Sequence, residues 1–303
     1  MALAFCGLDL AHPIVNGSGT YDAIAARRAF GDAVLEAFPF SAFVSKTITL
    51  KPRDGNPPPR LFETPAGMIN SIGLPNKGLE GYLAHDLPEL ARLPVPLITN
   101  VMGSTADEIA QLVEAVDARA EIDAIELNVS CPNVKTGLDI GADPRELAAV
   151  VARVRPLTAK PLIVKLTPNA SDVPAAAQAA EDAGADAVSL INTLRAFAPH
   201  PRIRTRPPRP WLGGGTGGMS GPAVRAVALA QVRAVAERVS VPILGMGGVA
   251  NGHHAAQLLD AGATVVAVGT ESFRDPAAGT RIERELHDLF AKSGNIAQTV
   301  RDV

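Results

Sequence analysis

The stretch that decides the fold runs from Ala183 to Ile191 and reads AGADAVSLI. Its first half is typical of the turn at which a glycine ends a helix, and its second half is a short apolar run. A similar string, AGATVVAV, spans residues 261–268. Apolar runs without alternation are typical of strands that are buried on both faces of a parallel sheet. The pattern therefore predicts a repeated unit of helix, tight turn and buried strand.

Eight apolar runs of this kind occur along the chain. They lie at residues 14–15, 42–48, 96–100, 122–129, 161–166, 187–191, 242–244 and 264–268. Helical patterns separate most of them, at residues 106–119, 143–155, 171–183, 221–238, 251–261 and 281–292. In a chain of 303 residues, eight such units favour an α/β fold of the (β/α)8 TIM barrel type, a single domain over residues 1–303 with inserted loops. A doubly wound open sheet is the alternative.

The composition is that of a globular protein. Apolar residues make up 47% of the chain and charged residues 19%, which excludes extensive intrinsic disorder. The net charge of −3 gives no reason to expect nucleic acid as a partner. Two cysteines are too few for a disulfide framework, so we expect a cytoplasmic protein. Residues 1–10 resemble neither a signal peptide nor a membrane anchor, and no His, Cys and Glu cluster has the spacing of a metal site.

Polar residues gather where the apolar runs end. They are Ser45, Lys46, Thr47, Asn100, Asn128, Lys165, Asn192 and Thr193. In a barrel the carboxyl ends of all strands meet at one face, and so many polar groups there indicate a polar ligand. Lys46 and Lys165 both stand within apolar surroundings. We therefore expect each lysine to be buried beside an anion, which is either a ligand or an acidic side chain.

Glycines follow the seventh and eighth apolar runs. Gly247 and Gly248 follow the seventh, and Gly269 with Thr270 follows the eighth. Loops at these two positions of a barrel commonly bind phosphate through backbone N–H groups, and glycine permits the close approach. The ligand or a cofactor is therefore expected to carry a phosphate. Three irregular stretches, at residues 51–79, 132–142 and 198–218, are expected to be extended loops on the same face.

Cys131 lies directly after the fourth apolar run, in the string NVSCPNVK at residues 128–135. A cysteine in such a place is often a small packed residue. A thiol among amide side chains at the mouth of a strand is also placed to act as a general base on a small ligand. The residues by themselves leave both interpretations open.

Several of these strings resemble those of the dihydroorotate dehydrogenases, FMN-containing barrels of pyrimidine biosynthesis. The resemblance extends over nearly the whole chain, from residue 16 to residue 270. The strings that carry it are SKT at 45–47, NSIGLPN at 70–76, NVSCPNVK at 128–135, LINT at 190–193, GGMSGP at 217–222 and GMGG at 245–248. It implies an oxidoreductase that converts (S)-dihydroorotate to orotate on the route to UMP.

The resemblance also implies a role for particular residues. FMN would be held by Ser18, Lys46, Thr47, Asn100, Asn128, Lys165, Ile191, Gly221, Gly247, Gly248, Gly269 and Thr270. Dihydroorotate would be held by Lys46, Asn70, Ser71, Ile72, Gly73, Leu74, Asn128, Asn192 and Thr193. Cys131 would be the catalytic base that removes a proton from C5 of the substrate, while a hydride leaves C6 for the flavin.

Family members differ in the electron acceptor that they use. Those with a serine base and a membrane-associated N-terminal extension use quinone, and Cys131 argues against that class. The string NVSCPNVK is most similar to the NAD-linked type, whose catalytic subunit pairs with a subunit that carries FAD and a [2Fe–2S] cluster. The resemblance implies a homodimer or a heterotetramer with that subunit. Fumarate-linked homodimers are the nearest alternative.

Residues 194–215 depart from the pattern of the NAD-linked enzymes. This segment contains five arginines and no acidic residue. It is interpreted either as a solvated surface loop or as an altered flavin-edge or partner surface. Two further functions remain open as alternatives, namely a related FMN-dependent pyrimidine oxidoreductase and a flavin-free barrel that binds a phosphorylated metabolite.

Overall fold

The computed structural model describes residues 2–129 and 140–299, and an eight-stranded parallel sheet is its centre. The strands are β1 Leu3–Phe5, β2 Leu8–Leu10, β3 Ile14–Asn16, β4 Phe43–Val44, β5 Leu61–Thr64, β6 Gly67–Asn70, β7 Leu97–Val101, β8 Ala124–Asn128, β9 Leu162–Lys165, β10 Ala187–Leu190, β11 Leu194–Phe197, β12 Thr216–Ser220, β13 Ile243–Met246 and β14 Val265–Val268.

The helices that surround the sheet also follow one another in chain order. They are α1 Ala23–Phe30, α2 Ala33–Glu36, α3 Gly78–Gly81, α4 Leu87–Leu90, α5 Ala106–Asp117, α6 Pro144–Val154, α7 Val173–Asp182, α8 Arg225–Ala236, α9 Gly252–Asp260 and α10 Ala278–Thr299. Short 3₁₀ or π turns occupy Tyr82–Asp86, Ile140–Ala142, Arg155–Leu157, Pro222–Val224 and Thr270–Phe273. The six predicted helices are all present. Five begin and end within four residues of the prediction, whereas α10 extends seven residues beyond the predicted end at residue 292.

The eight predicted strands form a barrel. Around the sheet the order is β3, β14, β13, β10, β9, β8, β7, β4. From β4 to β14 the strands therefore follow one another in chain order, and β3, the first strand, lies beside β14, the last. Between the two end strands, the Ser41 amide donates to the Ile14 carbonyl at 3.0 Å. The Asn16 side chain, in β3, bonds both backbone groups of Val44, in β4. The prediction of a TIM barrel is confirmed, and the alternative of an open sheet is wrong.

Every residue of the eight barrel strands is buried. This burial on both faces is why the strands read as continuous apolar runs in the sequence. The outward side chains pack against the helices in a large core, and the inward side chains form a second cluster. The second cluster contains Phe5, Leu8 and Leu10 of the β1–β2 hairpin. The hairpin therefore closes the amino-terminal end of the barrel with apolar side chains.

Two of the three stretches that were expected to be extended loops contain strands instead. Strands β5 and β6 lie within residues 51–79, and most of β12 lies within residues 198–218. Together with β11 they form a four-stranded antiparallel sheet in the order β11, β12, β6, β5. Their residues are mostly half-buried or exposed, and their partners are distant in the chain, so no apolar run marks them in the sequence. Most of the third stretch lies outside the described residues.

Candidate active site

Side chains alternate between the two faces of each barrel strand, and this alternation decides which residues point into the site. The inward cluster at the closed end includes Ile98, Ala124, Ile163 and Ala187. Because successive side chains of a strand alternate between its faces, the residues two positions further along also point inward. Those residues are Asn100, Glu126, Lys165 and Ser189, and all four are buried. An apolar layer is thus followed by a polar layer on the side of the barrel where the strands end.

Glu126 is the centre of the polar layer. Its Oε1 accepts a hydrogen bond from Ser189 Oγ at 2.7 Å. Its Oε2 accepts a hydrogen bond from Asn100 Nδ2 and lies 4.0 Å from Lys165 Nζ. The carboxylate is 1% exposed, and Lys165 is 5% exposed. The expectation that Lys165 is buried beside an anion is confirmed, and the anion is an acidic side chain of the barrel itself.

Asn100 presents an unsatisfied acceptor in this layer. Among the described residues, its Oδ1 is one of three buried side-chain oxygens without a hydrogen-bond partner. Asn100 itself is fully buried, and its backbone N–H donates to Ser45 Oγ at 3.0 Å. An unpaired buried acceptor costs about 1–3 kcal/mol, so a ligand that donates an N–H or O–H there gains that amount. The site is therefore suited to a ligand with a donor at this position.

Lys46 differs from its expected state. Its side chain is exposed, so the expectation of a buried lysine is wrong at this position. The apolar neighbours Val44 and Ile48 pack into the two apolar clusters, but Lys46 between them does not. Partial loss of hydration still lowers the pKa of Lys46, and Arg60 lowers it further, against the opposite effect of Asp22 and Asp86. Lys46 is thus accessible to a ligand that enters the mouth of the barrel.

Ser18, Thr47 and Asn128 lie around the same mouth. Ser18 Oγ donates to the Ser45 carbonyl at 2.8 Å. Asn128 Nδ2 donates to Thr47 Oγ1 at 3.3 Å, which joins the end of β8 to the segment after β4. Thr47 and Asn128 are both buried. The structure therefore brings these three predicted residues to the end of the barrel that contains Asn100 and Lys165.

The segment 70–74 is held in place by residues on both sides of it. Asn70 Nδ2 donates to the Gly218 carbonyl at 3.3 Å across the four-stranded sheet. Ser71 is fully buried, and its Oγ accepts from Asn56 Nδ2 at 3.0 Å. The Ile72 carbonyl accepts from the Asn56 amide at 3.0 Å. The segment is thereby fixed before any ligand binds.

The turn that ends this segment is supported from the neighbouring loop. Gly73 and Leu74 both have positive φ, 76° and 54° respectively. Leucine rarely adopts this conformation. Asn76 Nδ2 donates to the Leu74 carbonyl at 2.9 Å and to Thr49 Oγ1 at 2.9 Å. The side chain of Asn76 therefore bridges the turn to the segment that follows β4.

The glycines after β13 form a tight backbone turn beside Gly221. Gly248 has φ +71°, and a Cβ on it would lie 2.8 Å from the Gly221 carbonyl oxygen. Gly247 also has positive φ, at 135°. A larger residue at Gly248 is thus excluded both by conformation and by space. Across the same end of the barrel, Thr270 Oγ1 donates to Ser220 Oγ at 2.9 Å, and Gly269 precedes Thr270 at the end of β14. The structure thus brings Gly248 beside Gly221 and Thr270 beside Ser220, and the phosphate-binding role of these segments stays a prediction.

The residues after β10 complete the ring of strand ends. Ile191 is buried, and its amide donates to the Met246 carbonyl at 3.0 Å. Asn192 and Thr193 are half-buried. The Thr193 carbonyl accepts from Asn169 Nδ2 at 3.0 Å, and Asn169 Oδ1 in turn accepts from the Arg195 amide at 2.9 Å. The connection from the barrel to the four-stranded sheet is therefore well defined.

Cys131 lies outside the described residues, so its predicted role remains a prediction. The described residues on either side are joined, because the Gly141 amide donates to the Val129 carbonyl at 2.9 Å. Cys6 packs against the apolar cluster at the closed end of the barrel. Burial, with a smaller contribution from Asp186, raises the pKa of the Cys6 thiol to about 12. Cys6 is accordingly a protonated thiol at neutral pH and lies apart from the site.

Known proteins resemble this chain over nearly its whole length. The family model of dihydroorotate dehydrogenase matches residues 1–290. The chain is 44% identical to the "Dihydroorotate dehydrogenase B (NAD(+)), catalytic subunit" of Geobacter sp. (strain M21) over 292 residues, which are 96% of this chain and 93% of that protein. It is also 44% identical to the protein of the same name from Desulforudis audaxviator (strain MP104C), over an aligned length of 306 residues that covers 100% of this chain and 94% of that protein. The chain belongs to the dihydroorotate dehydrogenase family.

Some residues that hold the site together are not singled out by the sequence patterns. Glu126 lies within an apolar run, and a charged residue inside such a run is itself an indication of a buried polar contact. Ser189 lies within another such run, at residues 187–191. Asn56 lies in the irregular stretch 51–79, and Asn76 ends the string NSIGLPN, in which the resemblance implies no role for it. Their roles depend on contacts with residues that are distant in the chain.

Two further observations concern metal ligands and membrane-spanning helices. Among the residues that the structure describes, no group of three or more His, Cys, Asp and Glu side chains could hold a metal ion. Over the same part of the chain, no helix combines the length and the apolar character needed to cross a membrane.

Proposed function

We propose that the protein is an FMN-dependent dihydroorotate dehydrogenase that oxidises (S)-dihydroorotate to orotate in UMP biosynthesis. The observation that carries the proposal is the unsatisfied Asn100 Oδ1 in a polar layer that also contains Lys165, at the open end of the barrel. An acceptor and a cationic donor in one layer suit a ring that presents both an N–H and a carbonyl or ring nitrogen. The pyrimidine ring of a flavin presents both.

The residues around the mouth of the barrel have the chemistry to hold FMN. Asn100 and Lys165 would meet the pyrimidine ring of the flavin. The backbone at Gly247, Gly248, Gly269 and Thr270 would hold the phosphate, with Gly221 beside them. The remaining contacts would come from Ser18, Lys46, Thr47, Asn128 and Ile191. When bound, FMN supplies the acceptor for the hydride that leaves C6 of the substrate.

The substrate would lie between the segment 70–74 and the strand ends. Asn70, Asn128, Asn192 and Thr193 offer amide and hydroxyl groups for the carbonyl and N–H edges of dihydroorotate. Lys46 is an accessible cation at the mouth, and it would pair with the substrate carboxylate. Asn56 and Asn76 fix the backbone of the segment 70–74, which reduces the ordering required when substrate binds.

Cys131 would remove the proton from C5 of the substrate. The thiol of a free cysteine has a pKa of about 8.5, and neighbouring cations or amide donors favour the thiolate. The protein would thus supply the base, while its polar layer would stabilise the negative charge that develops on the cofactor. The positively charged end of Lys165 in this layer supports that role.

The electrons would then pass to NAD⁺ through a partner subunit that carries FAD and a [2Fe–2S] cluster. The names of the relatives, which are catalytic subunits of NAD-linked enzymes, support this proposal. We further propose a cytoplasmic protein that consists of one domain, residues 1–303, and assembles as a homodimer or as a heterotetramer with its partner. Fumarate is the alternative acceptor, and the arginine-rich segment 194–215 is the observation that keeps it open.

The test begins with the purified chain. We expect a yellow protein, or one that binds added FMN, whose flavin absorbance bleaches anaerobically when dihydroorotate is added. A colourless protein that does not bind FMN would contradict the proposal and favour a flavin-free barrel that binds a phosphorylated metabolite. Reoxidation of the reduced chain is then measured with fumarate, and with NAD⁺ in the presence and absence of an FAD/[2Fe–2S] subunit. Rapid reoxidation by fumarate alone would exclude the NAD-linked assignment.

A further inference from the structure

We propose that Glu126 is a positioning residue, which fixes Asn100 as an acceptor and Lys165 as a donor towards the flavin. This inference rests on the proposed function, because it assigns a role within the same site. Glu126 lies in the polar layer of the barrel, where its carboxylate contacts side chains from three other strands, β7, β9 and β10. Its own position is therefore determined by the barrel and not by a flexible loop.

The carboxylate decides which way the amide of Asn100 faces. An ionised carboxylate only accepts hydrogen bonds, whereas an amide has one accepting end and one donating end. Asn100 must turn its Nδ2 towards Glu126, and its Oδ1 then faces away. This oxygen is the buried acceptor that is unsatisfied within the described residues. Without Glu126 the opposite orientation of the amide would be equally available, and it would present a donor to the ligand instead.

The same carboxylate sets the position of Lys165. At 4.0 Å the separation of Lys165 Nζ and Glu126 Oε2 is that of an ion pair and longer than a hydrogen bond. The ammonium is thereby held in the polar layer while its N–H groups remain available for a ligand. Glu126 also accepts a hydrogen bond from Ser189 Oγ, through its other carboxylate oxygen. Glu126 thus contacts both the residue that offers the acceptor and the residue that offers the cationic donor.

Glu126 also contributes a negative charge that the proposed flavin would experience. A buried charge acts over several ångströms because little water screens it. The carboxylate opposes the addition of electrons to the cofactor, and Lys165 favours it. Removal of the charge alone should therefore make flavin reduction easier, and loss of the amide orientation should weaken FMN binding. These two effects separate a positioning role from a purely structural one.

The test uses the full chain with FMN and the variant Glu126→Gln. The midpoint potential is measured by dithionite titration against indicator dyes, and FMN affinity is measured by flavin fluorescence after removal of the bound cofactor. We expect a higher midpoint potential than in the wild-type protein, and an FMN affinity that is lower by about tenfold, the equivalent of one lost hydrogen bond. Unchanged potential and unchanged affinity would overturn the assignment.

Two variants serve as controls. Ser189→Ala removes one hydrogen bond to Glu126 but keeps the charge and the contact with Asn100, so its midpoint potential should equal that of the wild-type protein. Glu126→Asp keeps the charge but shortens the side chain, so FMN affinity should fall while the potential stays near the wild-type value. Glu126→Asp also tests the inference if Glu126→Gln does not fold, because wild-type affinity in this variant would contradict it.

The outcomes also distinguish this inference from the proposed function. If the wild-type chain does not bind FMN, the proposed function fails and the assignment of Glu126 fails with it. If the wild-type chain binds FMN and is reduced by dihydroorotate, while Glu126→Gln and Glu126→Asp match it in potential and affinity, only the role of Glu126 is excluded.

Discussion

The side-chain amide of Asn16 forms two hydrogen bonds with the backbone of Val44, and these bonds close the barrel. Asn16 Oδ1 accepts from the Val44 amide at 2.9 Å, and Asn16 Nδ2 donates to the Val44 carbonyl at 2.8 Å. These residues belong to β3 and β4, the two strands at the ends of the sheet order. A side chain thus replaces part of the backbone ladder, and both residues are buried.

Asn16→Ala should therefore destabilise the fold strongly. It leaves the N–H and carbonyl of Val44 buried without these partners, and each such group costs about 1–3 kcal/mol. We expect the free energy of unfolding, measured in urea, to fall by about 3 kcal/mol. The matched control is Asn251→Ala, which removes the N-cap of α9, where Asn251 Oδ1 accepts from the His254 amide. Loss of a cap costs about 1 kcal/mol. Equal losses in the two variants would show that the bonds to Val44 stabilise the fold no more than an ordinary helix cap.

The buried pair of Glu126 and Lys165 should behave as a unit in unfolding experiments. Lys165→Met leaves the carboxylate of Glu126 without its cation, and breaking a buried pair in this way costs about 3–5 kcal/mol. The double variant with Glu126→Gln should lose less stability than the sum of the two single variants. The coupling free energy is obtained from urea unfolding of the wild-type protein, the two single variants and the double variant. Additive losses would mean that the two charges do not interact at 4.0 Å.

Cys6 should make the stability of the protein depend on alkaline pH. Burial raises its pKa from 9.0 to about 12 in the folded chain. Above about pH 9 the unfolded chain loses this proton while the folded chain keeps it, so the contribution of Cys6 to stability is complete below pH 9 and is lost as the pH rises towards 12. Tyr82, whose pKa burial also raises to about 12, acts in the same direction.

The contribution of Cys6 is isolated by comparison of the wild-type protein with Cys6→Ser. Serine does not titrate in this range, so the variant should lose less stability between pH 9 and pH 11, as measured by urea unfolding. Turnover at neutral pH should hardly change, because Cys6 lies at the closed end of the barrel. Parallel pH profiles of the two proteins would indicate that the Cys6 thiol is hydrated in the folded state.

Cys131 should be required for chemistry but not for cofactor binding. Without a base for C5 of dihydroorotate, the rate of flavin reduction should fall by about 10²–10⁴-fold in Cys131→Ala at neutral pH. The measurement is stopped-flow absorbance of the flavin after anaerobic mixing. FMN content should remain that of the wild-type protein, and Cys6→Ser serves as the matched cysteine control. Near-normal reduction by Cys131→Ala would remove this residue from the proposed role.

The arginines of residues 194–215 should contribute little to the stability of the chain. Residues 201–210 are exposed, and none of the ion pairs among the described residues includes an arginine of this segment. Replacement of Arg202, Arg204, Arg206 and Arg209 by serine should leave the unfolding midpoint and flavin reduction by dihydroorotate unchanged. A solvated loop also predicts unchanged electron transfer to the acceptor. A selective loss of that transfer would identify the segment as a partner surface.

The sequence predicted the parts of the fold that depend on local pattern. All eight barrel strands are recognisable because burial on both faces requires apolar residues throughout. Asn100, Asn128 and Lys165 are recognisable because they end such runs. The exposure of Lys46 could not be predicted in this way, because it depends on which distant segments cover the side chain. The antiparallel sheet escaped recognition for a related reason, because β6 pairs with β12, far away in the chain.

By itself, then, the sequence determined the order of strands and helices, and with it the face of the barrel at which polar side chains collect. Only the tertiary structure decided how those side chains are oriented. Glu126 turns the amide of Asn100 and accompanies Lys165, and Asn16 closes the sheet on Val44. Local sequence specifies which groups a strand carries, because side chains alternate along it with a fixed period. The direction of a hydrogen bond depends on partners from other strands, which only the closed barrel brings together.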